Sequence, residues 1–175
     1  MPRFAVRRQL LLAAAGLAVA GPAAAQSVRT DWPRRKPAPA LTLRLLDGSA
    51  WSLAARRGNA VLLNFWATWC EPCREEMPAL ARLAQREKAS GLEVMTVNFR
   101  EGEAAVRRFV DAASVSLPVA LDPDGAAAKM FDAHAFPTTV AIDAGGRVRF
   151  VVMGECDWTD ARSRAWLDEL LGQRS

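Results

Sequence analysis

Two cysteines three positions apart are the residues best suited to chemistry in this sequence of 175 residues. Cys70 and Cys73 enclose Glu71 and Pro72 and follow an apolar run that ends at Trp66. A Cys-x-x-Cys pair between a buried strand and a helix places its first thiol at the helix N-terminus, where free N–H groups and the helix dipole favour a thiolate. The spacing predicts a nucleophilic Cys70 and a shielded Cys73 that attacks a mixed disulfide formed at Cys70.

Two other uses of this cysteine pair fit the sequence less well. A zinc site would need further ligands, and the remaining candidates, Cys156 and His134, have no useful local spacing. A structural disulfide across three residues closes too small a loop to stabilise the fold much. We therefore expect redox chemistry at a Cys70–Cys73 disulfide, with no cofactor and no metal.

The residues between the cysteines indicate the direction of electron transfer. Pro72 suits the first turn of a helix and stiffens the link between the thiols. A carboxylate at Glu71 opposes thiolate formation at Cys70, whereas strongly oxidising enzymes of this kind stabilise their reduced thiolate. We expect a reductant, with a potential nearer to about −270 mV than to the oxidising extreme of about −120 mV.

The N-terminus has the three-part layout of a secretory signal. Three arginines within the first eight residues precede an uncharged apolar run, which ends at an Ala-x-Ala site. We assign residues 1–25 to a signal peptide cleaved after Ala25, or to an anchor if it is retained. The domain is then expected in the periplasm, or on the extracytoplasmic face of the inner membrane.

The charge balance bears on partners. The chain carries a net charge of +4, and three of its arginines lie in residues 1–25, so the remainder is nearly neutral. Nothing here favours nucleic-acid binding. We expect a monomer whose partners are proteins.

Alternating strands and helices must position the cysteines. We interpret residues 26–39, with three prolines, as a linker and residues 40–175 as one domain. A hairpin is expected over residues 41–53, around Asp47-Gly48-Ser49. Apolar runs predict further strands at 61–66, 92–97, 118–121, 138–143 and 147–153. Helical spacing predicts four helices between or after them: one that begins at 73, one over 103–113, a short one that ends at 131, and one over 160–171. The fold class is α/β: a central mixed sheet with a terminal antiparallel hairpin and helices on both faces.

Two segments carry a family resemblance. Residues 64–78 read Asn-Phe-Trp-Ala-Thr-Trp-Cys-Glu-Pro-Cys-Arg-Glu-Glu-Met-Pro, and Phe136-Pro137-Thr138-Thr139 follows later. Both resemble the TlpA/ResA branch of the thioredoxin superfamily, which includes CcmG/DsbE-related proteins. The resemblance covers residues 61–171 and implies a thioredoxin-like fold with an N-terminal β-hairpin extension and a helix–strand insert at 102–121.

The resemblance also implies roles for individual residues. Pro137 would be cis and would place its loop against the cysteine pair. The substrate surface would comprise Trp69, Glu71, Pro72, Phe136, Pro137 and Thr138. Glu76 matches an acidic residue that this branch holds beneath the cysteines, whereas thioredoxin has an aspartate where Asn64 stands here. This favours Glu76 as the general base for Cys73, with a pKa raised by burial; the alternative is a solvated carboxylate like Glu75.

The implied activity is that of a protein-disulfide reductase acting on envelope clients, in cytochrome c biogenesis or oxidase assembly. A membrane thiol–disulfide electron donor would recharge it. One alternative is a copper-binding assembly factor using the thiolates and His134, although such factors have Cys-x-x-x-Cys. Another is a thiol peroxidase, although the peroxiredoxin pattern Pro-x-x-x-Thr-x-x-Cys is not met at Cys70.

Cys156 departs from the family pattern, which has Gly-x-x-Asp-Trp without a cysteine where this chain reads Gly-Glu-Cys-Asp-Trp. A free, partly buried thiol is one interpretation. The others are an accessory thiol that forms a mixed disulfide with a partner, an intermolecular dimer, or a third soft metal ligand.

Overall fold

The computed structural model describes residues 27–33 and 37–172, so the predicted signal peptide lies outside the described residues. Eight strands in this part of the chain form one sheet. They are β1 (Val28–Asp31), β2 (Thr42–Leu45), β3 (Ala50–Ser52), β4 (Ala60–Trp66), β5 (Leu92–Phe99), β6 (Val119–Asp122), β7 (Thr138–Ile142) and β8 (Val148–Met153). The helices are α1 (Glu71–Arg86), α2 (Glu103–Ala112), α3 (Ala126–Met130) and α4 (Ala161–Leu171).

The sheet is mixed, in the order β1-β8-β7-β4-β5-β6-β2-β3. Strands β4, β5 and β6 are parallel, whereas β7 and β8 form the terminal antiparallel hairpin and β2 and β3 the N-terminal one. All seven residues of β4 are buried, because both faces of this central strand are covered. The predicted α/β class and element order are confirmed.

The two faces of β4 belong to different parts of the core. Val61, Leu63 and Phe65 pack with α3 and the N-terminal hairpin on one face. Leu62 packs with α1 and α4 on the other. Side chains alternate along a strand, so Asn64 shares the face of Leu62 and points towards α1. Helices thus cover both faces, and none of those described is long and apolar enough to cross a membrane.

The linker predicted for residues 26–39 is wrong at Val28–Asp31. These residues form β1, which pairs antiparallel with β8 at the edge of the sheet. Three of its four residues are exposed and the half-buried one is Arg29, so the stretch gives no apolar alternation. Its anchor is Arg29, whose guanidinium lies 4.2 Å from the Phe150 ring centroid and 2.8 Å from Glu169.

Replacing this anchor tests whether β1 is a structural part of the domain. We expect Arg29→Ala to lower the free energy of unfolding by about 1–2 kcal/mol, since it removes a cation–π contact and a charge-assisted hydrogen bond at a largely buried side chain. Chemical denaturation measures the change. Arg164→Ala, at an exposed position on α4, is the control and should have little effect. Equal effects of the two substitutions would contradict the assignment.

Candidate active site

The cysteine pair lies where β4 gives way to α1. Cys70 is the N-cap of α1 and its sulfur accepts the backbone N–H of Cys73 at 3.3 Å. The two cysteines form a disulfide, with Cα atoms 5.3 Å apart. Cys73 is 1 % exposed and Cys70 5 % exposed. The first cysteine of the pair is therefore the one nearer the solvent, as its predicted nucleophilic role requires.

The loop before β7 lies beside this pair. The Phe136–Pro137 peptide bond is cis, as the family resemblance implies. Register places Thr138 opposite Phe65, so the loop adjoins the end of β4 from which the chain leads to Cys70. The side chain of Thr138 is buried and its hydroxyl donates to Ala135 O at 2.6 Å. This side chain orders the loop rather than forming its surface.

Three aromatic side chains form a row at the mouth of the site. The Trp69 side chain is 66 % exposed, and its ring meets Phe136 edge-on at 6.0 Å between centroids. Phe136 in turn packs on Phe99 at 4.8 Å. We call Trp69, Phe136 and Phe99 the aromatic row. It gives the disulfide an exposed apolar border, with Glu71 exposed and Pro72 half-buried in the first turn of α1.

Glu76 lies one turn beyond Cys73 on the same face of α1 and is 2 % exposed. Trp158 Nε1 donates to Glu76 Oε1, and Asn64 Nδ2 donates to Oε2 at 3.3 Å. The backbone N–H of Cys156 is a third donor. The carboxyl group is thus enclosed and held by groups from β4 and from the segment after β8. The alternative of a solvated carboxylate, like that of exposed Glu75, is wrong.

The surroundings of Glu76 determine its proton affinity. Burial raises its pKa from 4.5 to about 7, because the charged form loses hydration. The hydrogen bonds from Trp158, Cys156 and Asn64 act in the opposite direction, and the nearby charge of Glu155 raises the pKa further. Glu76 can therefore gain or lose a proton near neutral pH.

The segment between β4 and Cys70 is held by the carboxylate of Glu101, which no sequence motif predicts. Glu101 accepts the backbone N–H of Thr68 at 2.6 Å and the Thr68 hydroxyl. Asn98 Nδ2 donates to the same carboxylate at 2.7 Å. The contacts fix the turn that carries Trp69 and Cys70. Their sequence signal is weak, because Glu101 follows β5 and lies more than thirty residues from Thr68.

Cys156 is a free thiol and is more deeply buried than predicted, at 2 % exposed. It packs among the core residues that α1 and α4 cover. Burial raises the pKa of its thiol to about 11, while a hydrogen bond with the Ser27 side chain lowers it. This thiol is therefore protonated at neutral pH. The contact of Cys156 with Glu76 is made by its backbone N–H.

The remaining candidate residue, His134, is exposed and pairs with Asp132. Within residues 27–33 and 37–172, no group of three or more His, Cys, Asp or Glu side chains is arranged to hold a metal ion.

Known proteins are similar to this chain in sequence and in fold. The chain is 38 % identical over 134 residues to the thioredoxin-like protein YneN of Bacillus subtilis, covering 75 % of this chain and 78 % of that protein. It is 38 % identical over 117 residues to the thiol-disulfide oxidoreductase ResA of the same organism, covering 67 % of this chain and 65 % of ResA. A crystal structure of a thiol:disulfide interchange protein of the thioredoxin family from Chlorobium tepidum superposes with a TM-score of 0.70 at 27 % identity, covering 79 % of this chain and 98 % of that one.

These matches show that the sheet and helices form a thioredoxin-like fold. They agree with the resemblance seen in the active-site and cis-proline segments. The model of the AhpC/TSA family matches residues 35–151, which include Cys70, Cys73, Glu76 and Pro137. The chain belongs to the AhpC/TSA family.

Proposed function

We propose that this thiol–disulfide oxidoreductase works as a reductant of disulfides in client proteins outside the cytoplasm. The observation that carries the proposal is the enclosed Glu76 carboxyl group, one turn from Cys73 and with a pKa of about 7. Such a group can take a proton from the second thiol when the enzyme gives up electrons. The names of YneN and ResA support the chemistry, and the N-terminal signal pattern supports the compartment.

The first step uses Cys70 as the nucleophile. Its thiolate attacks one sulfur of the client disulfide, the client S–S bond breaks, and the released client sulfur leaves as a thiolate. A mixed disulfide now joins Cys70 to the client. The free N–H groups at the start of α1 favour the attacking thiolate, because they offer partial positive charge to the sulfur.

The second step uses Cys73 and Glu76. Cys73 loses its proton to the Glu76 carboxylate, and its sulfur attacks Cys70. The bond to the client breaks, and the client departs with its second sulfur reduced. Two electrons have moved from the enzyme dithiol to the client, which leaves the Cys70–Cys73 disulfide seen in the structure. A membrane dithiol donor would then restore the reduced enzyme.

The clients are proposed to be envelope proteins, in cytochrome c biogenesis or in oxidase assembly. The active-site and cis-proline segments that resemble the TlpA/ResA branch support this choice. The aromatic row offers an apolar docking surface beside Cys70. The enzyme acts as a monomer and uses no bound cofactor in this proposal.

The reduction potential tests the direction of transfer. We expect a value below about −180 mV for the Cys70–Cys73 pair, as for a reductant. Cys156→Ser should move it by less than about 15 mV, because the Cys156 thiol is buried and protonated. Equilibration against dithiothreitol and glutathione measures both values. A potential above −180 mV would contradict the proposed direction.

Glu76→Gln tests the proton transfer. We expect resolution of the mixed disulfide to slow at least tenfold at pH 7, since the amide cannot accept the Cys73 proton. The wild-type rate should rise as pH passes through about 7, and the variant should lack this rise. Single-turnover reduction of a disulfide peptide, quenched by acid and resolved by mass, measures the mixed disulfide. Glu75→Gln, at the exposed neighbour, is the control, and a similar loss in both variants would refute the role of Glu76.

Stability should also depend on the protonation of Glu76. Its pKa is higher in the folded protein than the ordinary 4.5, so the folded state binds this proton more tightly than the unfolded state. The free energy of unfolding of the oxidised protein should therefore fall between pH 4.5 and 8, by at most about 3 kcal/mol relative to Glu76→Gln. Urea denaturation at several pH values measures this difference. Parallel pH profiles for the two proteins would argue against the raised pKa.

A further inference from the structure

An open cavity of about 610 Å³ adjoins the aromatic row. Phe99 and Phe136 form one wall, and small residues, Ala126, Ala128 and Ala133, contribute to the rest of the lining. Basic side chains also line it, namely Arg100, Lys129 and His134. None of these residues takes part in the thiol chemistry described above.

Arg100 is held in a defined position at this cavity. Its backbone has φ +54°, in the left-handed region that residues other than glycine seldom adopt. Its Nε donates to Asp124 O at 3.1 Å, and its guanidinium carbon lies 5.3 Å from the Phe99 ring centroid. The side chain is thus fixed on two sides, and among the described residues its terminal N–H groups form no hydrogen bond.

Gly125 makes room for this guanidinium. A Cβ at this position would lie 2.7 Å from Arg100 Nε and 2.8 Å from Phe99 Cε2. The residue also has φ +76°, which favours glycine. A larger residue here would displace Arg100 from the cavity wall.

The cavity has unpaired positive charge. In the described part of the chain, neither Arg100 nor Lys129 forms an ion pair. Asp124 also lines the cavity, where its Oδ1 accepts the N–H of Ala126, and Asp132 pairs with His134. A carboxylate entering the cavity would meet Arg100 and Lys129, whose two positive charges outnumber the single negative charge of Asp124.

We propose that this cavity is a client subsite that takes an aspartate or glutamate side chain, with Arg100 pairing with its carboxylate. The methylene groups of that side chain would pack on Phe99 and Phe136. The inference rests on the proposed function, because the occupant is a segment of the client whose disulfide meets Cys70. The ring centroids of the aromatic row are 6.0 and 4.8 Å apart, so an extended client segment, at ~3.3 Å per residue, would pass from Trp69 to Phe99 in about three residues. We therefore expect the acidic residue within about five positions of the client cysteine, since Cys70 adjoins Trp69.

The test compares peptides that differ in one kind of side chain. Blocked peptides carrying a Cys-Gly-Gly-Cys disulfide are flanked on both sides, within five residues, by glutamate, glutamine or lysine. Reduced protein is mixed with each peptide at low salt, and the second-order rate of peptide reduction is measured. The glutamate peptide should react about fivefold faster than the glutamine peptide, and the lysine peptide more slowly than either. The preference should weaken at 0.5 M salt.

Variants separate the subsite from general attraction between charges. Arg100→Gln should reduce the glutamate preference to less than about twofold, and Lys129→Gln should reduce it in part. Arg108→Gln removes the same charge from an exposed position on α2 outside the cavity and should preserve the preference. Hydroxyethyl disulfide, which has no charge, should be reduced at the same rate by all variants, which shows that they are folded and active.

The outcomes distinguish the two proposals. Equal rates for the glutamate and glutamine peptides, with both reduced, overturn the subsite and leave the reductase function in place. A preference that persists in Arg100→Gln, or that Arg108→Gln removes equally, also overturns it. Failure to reduce any peptide while hydroxyethyl disulfide is reduced overturns the proposed function and the subsite with it.

Discussion

The burial of the Glu76 carboxyl group is the constraint on which the rest of the site depends. A carboxylate removed from water is costly unless several donors replace its hydration. Here the donors are Asn64 on β4, the Trp158 indole and the Cys156 backbone N–H. These donors come from separate parts of the chain. The hydrogen-bonded environment of the Glu76 carboxyl group therefore forms only when the central strand, α1 and the segment after β8 are all in place.

Strand register links this constraint to the redox pair. Asn64 meets Glu76 because alternation along β4 turns it towards α1, while its neighbours Leu63 and Phe65 face α3. A shift by one residue would put an apolar side chain against the carboxyl group. The pairing of β4 with β7 sets the other side of the site, since it brings the cis-Pro137 loop next to the approach to Cys70.

The sequence predicted the parts of this site that depend on local pattern. Cys70 and Cys73 follow a buried strand and start a helix, and this arrangement can be recognised from residue types and spacing alone. The burial of Glu76 rather than Glu75 came from family resemblance, because helical periodicity does not separate neighbours at a helix surface. The bond between Trp158 and Glu76 spans 82 residues, and no local pattern specifies a contact of that kind.

Other features were missed for related physical reasons. β1 is an edge strand in which three of the four residues are exposed and the half-buried one is Arg29, so it lacks the apolar alternation that marks a half-buried strand. The depth of Cys156 depends on packing against core residues of β4, α1 and α4, and no local pattern around Cys156 specifies those contacts. Arg100 has no motif, because its position follows from backbone conformation and from the space left by Gly125.

In the proposed mechanism, proton transfer and client contact use different sides of the cysteine pair. Glu76, the proposed base for Cys73, is 2 % exposed, and the same burial that raises its pKa keeps it out of reach of a client. Trp69 and the rest of the aromatic row border the exposed side, and Glu101 fixes the turn that carries Trp69. The two sides are linked through β4 and β7, because Asn64 donates both to Glu76 and to Thr139, two residues after Pro137. The exposed Trp69 takes no part in these hydrogen bonds, so a change of its side chain would leave the groups that hold the Glu76 carboxyl in place. The geometry therefore allows one exchange chemistry to be combined with different surfaces for recognition.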